Sequence, residues 1–255
     1  MRTIIIHKLF AHFAMMAAIF PVIILVSAPE AYAQYFGRNK PKYEQFDFKV
    51  HQTPHFEIYH YLKNDTLADQ LAQDTERWYR LHQQVFQDTF KTHNPVIFYS
   101  NHADFQQTNA VGSLIGEGTG GVTEGLKNRV IMPLAESTAK TNHVLGHELV
   151  HAFQYHLFKT DTTSLNSLRN IPLWMIEGMA EYLSIGSVDP HTAMWMRDAV
   201  LQDDIPSLKD LTNKMYKYFP YRYGQAFWAF VAGVWGDDKV RELFLQTAKH
   251  GYAAA

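Results

Sequence analysis

Two histidines four residues apart, His147 and His151, with Glu148-Leu149-Val150 between them, constrain this chain more than any other feature it carries. Four residues make slightly more than one helical turn, so both imidazoles face the same way only if the segment is α-helical. Val144, Leu145, Val150 and Phe153 give that helix an apolar side to bury, and no proline interrupts 141–158. Neutral imidazoles bind zinc well. Glu148 directly follows the first histidine and lies beside the shared face, so it can reach a water at the metal without becoming a ligand. His143 also precedes His147 by four residues, but that pair lacks a glutamate at the matching place.

A catalytic zinc site takes a third protein ligand and keeps one position open. The extended form of the motif, with Gly and His following at three-residue spacing, fails here because position 154 is Gln and position 157 is Leu. His156, five residues after His151, rotates off the face. The segment Trp174-Met175-Ile176-Glu177-Gly178-Met179-Ala180-Glu181-Tyr182 offers two carboxylates one turn apart, on a helix whose Leu173, Ile176, Ala180 and Leu183 suggest burial. Buried carboxylates must be paired or coordinate a metal. Glu177 as the third ligand, and Glu181 as acceptor for the outer nitrogen of a ligand histidine, satisfy both. Taken without the upstream histidines, the two would read as surface salt-bridging residues.

The rest of the chain predicts an α+β fold. Phe56, Ile58 and His60 alternate as in a strand, and 66–90 reads as a helix with Leu67, Leu71, Trp78, Leu81 and Val85 inward. Val96–Tyr99 and Asn128–Pro133 are short strands, and residues 34–53 an extended arm. Residues 172–184, 191–201, 222–235 and 237–249 are helical. The glycine-rich stretch from Val111 to Gly125 lacks the Lys-Ser/Thr ending of a phosphate loop and reads as a flexible loop beside a cleft. With 47% apolar and 19% charged residues the composition is globular, and a net charge of −2 gives no electrostatic case for nucleic acid. No cysteine is present, which excludes disulfides and thiolate chemistry. Residues 1–33 read as a signal peptide: Arg2 and Lys8, an apolar run, then Ala31-Tyr32-Ala33. Export to the periplasm or exterior follows, or membrane anchoring if the leader is retained; no later segment is apolar enough to span a bilayer. The mature part, 34–255, divides into an α/β lobe, 34–140, and a part with the zinc helix and further helices, 141–255.

With these segments placed, the sequence resembles the gluzincins, which pair His-Glu-x-x-His with a Glu on a following helix. It looks closest to bacterial peptidase-MA-like domains, in which W-x-x-E-G-x-A-E-Y follows the zinc helix; Trp174 to Tyr182 match every named position. The resemblance implies a two-lobed zincin-like domain, one Zn2+ per chain on His147, His151 and Glu177, and a peptide or protein substrate. Such domains often precede a TolB-like β-propeller, so a propeller or an envelope partner is implied too; this chain carries no blade repeats.

The expected chemistry is peptide-bond hydrolysis. Zinc lowers the pKa of water and polarises a carbonyl, and Glu148 takes the water's proton and passes it to the leaving amine. By resemblance, a Tyr or His after the third ligand supports the oxyanion, and Tyr223 is the residue singled out in Tyr221-Arg222-Tyr223. An edge of the NRVIMP strand would carry an extended peptide, with the glycine-rich loop as a lid. Two other classes fit the same residues: an inactive zincin-like module for binding or assembly, and a zinc hydrolase of non-peptide amides.

Overall fold

The structure, a computed structural model, describes residues 40, 42–160 and 165–252. The leader read at 1–33 lies outside the described residues. Among the described residues, no helix is long and apolar enough to cross a membrane.

Five strands form one sheet: β1 (Lys49–Gln52), β2 (Phe56–His60), β3 (Asn94–Tyr99), β4 (Val122–Glu124) and β5 (Arg129–Pro133), in the order β1-β2-β3-β5-β4. β2, β3 and β5 are parallel, whereas β1 and β4 pair antiparallel on the two outer sides. A parallel neighbour requires a crossover, and helix α1 (Asp65–Phe86) supplies it between β2 and β3. Asn64 caps α1 by accepting from the Leu67 N–H, and Gln87 ends it in the left-handed region at φ 49°.

Strand β4 changes one expectation. The NRVIMP strand, β5, is paired on both sides, by β3 and β4, so it offers no free edge. The edge belongs to Val122–Glu124, which continues the glycine-rich stretch and pairs Thr123 with Val130. Residues 49–52, read as part of an arm, form the opposite edge by pairing with β2.

The chain then becomes helical: a four-residue α2 (His102–Phe105) precedes β4, and α3 (Thr138–Thr160), α4 (Leu173–Ile185), α5 (Pro190–Leu201), α6 (Leu208–Asn213), α7 (Pro220–Trp235) and α8 (Asp238–His250) follow β5. The fold is α+β, as the sequence predicts. One core joins the sheet to the helices. Phe56, Phe98 and Met132 from the strands, Tyr79 and Phe86 from α1, Leu149 and Phe153 from α3, and Trp174 and Trp228 are all fully buried within it. Phe86 stacks on Phe153 with centroids 5.3 Å apart. The buried side of α1 runs through Ala68, Leu71, Thr75, Tyr79, His82 and Phe86. Leu81, expected inside, is 46% exposed, because the stripe is turned by about one residue.

Helices α4 and α7 touch backbone to backbone. A Cβ added at Gly178 would lie 2.3 Å from the Gly224 backbone, and one at Gly224 would lie 1.9 Å from the Trp174 carbonyl oxygen. Two glycines at one crossing let the helix axes come closer than side chains permit. The crossing brings Tyr221 and Arg222, in the first turn of α7, over the face of α4 that carries Glu177 and Glu181.

Candidate metal centre

Helix α3 buries Leu145, Leu149, Val150, Ala152 and Phe153 against the sheet and α1, which turns His147 and His151 toward α4. On α4, Trp174, Met175 and Met179 enter the core, while Glu177 and Glu181, one turn apart, face the histidines of α3. The Trp228 indole holds the arrangement by donating to the Met175 carbonyl at 2.9 Å.

Three donor atoms converge. His147 Nε2 and His151 Nε2 are 3.1 Å apart, and Glu177 Oε2 is 3.2 Å from each. Ligands about 2.05 Å from a tetrahedral ion stand about 3.3 Å from one another, so this near-equilateral set has the spacing and chemistry of a His2Glu site. Among the described residues, the triad is one of two His/Glu groups whose atoms cluster closely enough to hold an ion.

The other group, His143, His147 and Glu181, shares His147. Its carboxylate is already occupied. Glu181 Oε1 is 3.1 Å from His147 Nδ1 and 3.3 Å from His143 Nε2, while Oε2 is 3.0 Å from the Arg222 guanidinium. Glu181 therefore lies behind His147, at its outer nitrogen, with a fixed cation beside it. Arg222 also reaches Asp189 Oδ2 at 3.1 Å, the same oxygen that caps α5 at the Thr192 N–H.

The electrostatics favour positive charge at this point. Burial alone would depress the His147 pKa, but the Glu177 and Glu181 carboxylates beside it outweigh that and lift it to about 10. Burial would raise both carboxylates; their histidine partners instead hold Glu177 and Glu181 well below the ordinary range. The carboxylates that favour a proton here would equally favour a divalent cation in its place on the imidazole nitrogens.

Two further residues complete the surroundings: Gln154, to which the sequence assigns no role, and Tyr221, which belongs to the segment that the sequence marks for the oxyanion but is not the tyrosine singled out there. Gln154 accepts from His151 Nδ1 at 2.8 Å and donates to the Ile176 carbonyl at 3.2 Å, fixing the second imidazole and the turn that bears Glu177. The requirement that a ligand histidine bond an acceptor through its outer nitrogen could have drawn attention to it, three residues beyond His151. Tyr221 stacks on His147 with centroids 5.8 Å apart and an interplanar angle of 12°. Burial and the nearby Glu177 carboxylate push its pKa far up.

Tyr223, singled out from the sequence, lies elsewhere: its ring meets Trp195 and Tyr218, and the leading charge acting on it is that of Asp204. Two residues along a helix turn a side chain by about 200°, so of these two tyrosines only Tyr221 faces α4. Glu148 is 6% exposed and accepts from the Thr123 hydroxyl of β4 at 2.6 Å.

The glycine-rich stretch is also explained differently. A Cβ at Gly120 would meet Val144 at 3.4 Å, at Gly121 it would meet Glu148 at 2.8 Å, and at Gly125 Tyr155 at 3.0 Å. Gly121 and Gly125 thus allow close approach to α3, whereas a Cβ at Gly120 would make an ordinary contact.

Residues 126–252 match the family model described as BSP, peptidase of plants and bacteria. That segment, which carries the triad, Glu148, Gln154 and Tyr221, is thus similar to a family of peptidases. The description differs from the peptidase-MA-like domain expected from Trp174 to Tyr182. No curated protein matches the chain.

Proposed function

We propose that the chain is a zinc-dependent peptidase of the gluzincin kind, with His147, His151 and Glu177 holding one ion. The observation that carries the reading is the convergence of two imidazole nitrogens from α3 and one carboxylate oxygen from α4 at 3.1–3.2 Å from one another. The peptidase description of the matching family supports the reaction class.

A zinc ion at this point supplies Lewis-acid activation of water and of the scissile carbonyl. Glu148 accepts the attacking water's proton and delivers it to the leaving nitrogen. Glu181 and Gln154 keep the two imidazoles in the tautomer that leaves both Nε2 atoms free to coordinate. Tyr221, in place of Tyr223, offers its hydroxyl to the developing oxyanion. The Val122–Glu124 edge, antiparallel to β5, is where an extended substrate would add as a further strand.

The test is a peptide-library digest by the purified chain with added zinc, a chelator control, and metal content per chain. Cleavage by wild type, its loss in Glu148→Gln with one zinc retained, and loss of zinc in His147→Ala are expected. Undiminished cleavage by Glu148→Gln would remove the general base from the mechanism; no chelatable cleavage by wild type, despite bound zinc, would favour an inactive binding module.

A further inference from the structure

A general base works only when its carboxylate is held at a defined distance from the proton that it takes. On α3, Glu148 receives that constraint from outside its own helix. The Thr123 hydroxyl lies 2.6 Å from Glu148 Oε2 and 2.9 Å from the Glu148 carbonyl oxygen. Both oxygens only accept and the hydroxyl has one hydrogen; the contact to Oε2 is the shorter and lies within the range of charge-assisted bonds.

Two residues earlier, Gly121 flanks the other oxygen. A Cβ there would come 2.8 Å from both Cγ and Oε1 of Glu148, a separation that real Cβ atoms essentially never show. The Gly121 backbone is outside the left-handed region, so the glycine is required for room rather than for conformation. Residues 121 and 123 share one face because side chains alternate along a strand, while Val122 between them packs with Tyr99, Phe105 and Ile131. One oxygen is thereby tied to the strand and the other kept clear.

We propose that Gly121 and Thr123 form a cradle that sets the Glu148 carboxylate from the sheet's edge, with Thr123 as a positioning residue. The inference rests on the reading of Glu148 as general base and adds a coupling to it. The strand that aims the base is the one on which a substrate main chain pairs, so a peptide seated on that edge is registered against the base through a single short strand.

Thr123→Val removes the hydroxyl at nearly constant volume, Thr123→Ser retains it, and Gly121→Ala fills the clear side. In the full chain, kcat on a peptide cleaved by wild type should fall at least about tenfold in Thr123→Val and in Gly121→Ala. KM should stay within about twofold and zinc at one per chain, and Thr123→Ser should recover most of the rate. Independently of activity, denaturation of Thr123→Val, Glu148→Leu and the double variant should give a midpoint loss in the double smaller than the two single losses combined. Additive losses would overturn the cradle, as would a wild-type kcat in either Gly121→Ala or Thr123→Val. If Thr123→Val fails to fold, Gly121→Ala and Thr123→Ser carry the test. Cleavage by Glu148→Gln at the wild-type rate would instead sink the general-base reading, and the denaturation cycle would still report whether the contact exists.

Discussion

Replacing Gly224 by alanine tests the packing on which the site depends, because two effects of opposite sign compete there. In the interior of a helix, alanine is favoured over glycine by about 1 kcal/mol. Against this, the new Cβ would stand 1.9 Å from the Trp174 carbonyl oxygen and 2.7 Å from the Gly178 Cα. Relief to an ordinary contact requires α4 and α7 to separate by roughly 1.5 Å, and overpacking of this kind costs about 1–3 kcal/mol, at times more. The neighbours are backbone, which cannot rotate aside, so the upper end applies and the net change is a loss of about 2 kcal/mol. Gly233 lies in the same helix with nothing within 4 Å of its would-be Cβ. Gly233→Ala should therefore gain up to about 1 kcal/mol. In urea, with a slope of about 2 kcal/mol per molar, the midpoint should drop by about 1 M in Gly224→Ala and rise slightly in Gly233→Ala. Stabilisation of both variants by a similar amount would show that the two helices do not meet at this glycine pair.

Tyr221→Phe should lower kcat about 100-fold with little change in zinc content, whereas Tyr223→Phe should leave kcat within a few-fold; equal effects would deny Tyr221 its place at the oxyanion. His82, fully buried on α1 with Nε2 2.9 Å from the Gly146 carbonyl oxygen, has its pKa lowered by burial to about 4. The unfolded chain binds a proton there below the ordinary value near 6.5 while the folded chain does not. The contribution is therefore complete at neutral pH and is lost as pH falls from about 6.5 to 4, by roughly 3 kcal/mol. The stability difference between wild type and His82→Gln, followed by denaturation across that range, should shrink accordingly. Parallel profiles would refute it.

Local periodicity made much of this architecture legible. The alternation Phe56-Glu57-Ile58-Tyr59-His60 marks β2, whose burial alternates in step. The apolar positions around His147 place α3, and Glu177 and Glu181 fall one turn apart on α4 as their spacing requires. What escaped depends on partners distant in sequence. The strand Lys49–Gln52 has three exposed residues of four and no inward stripe, so only its pairing with β2 defines it. The glycines at 120, 121 and 125 carry no local sign that α3 packs across them. Tyr221 and Tyr223 are alike in composition and neighbourhood, and which one meets His147 is decided by the Gly178–Gly224 crossing, a contact between residues 46 positions apart.

The matched segment begins at residue 126, three positions beyond Thr123. Every atom that would touch the ion is inside that boundary, whereas the hydroxyl gripping Glu148 is outside it. In the proposed mechanism, the side chains that would hold the ion and the hydroxyl that would set the proton acceptor therefore come from separate stretches of chain, so each could be altered without touching the other.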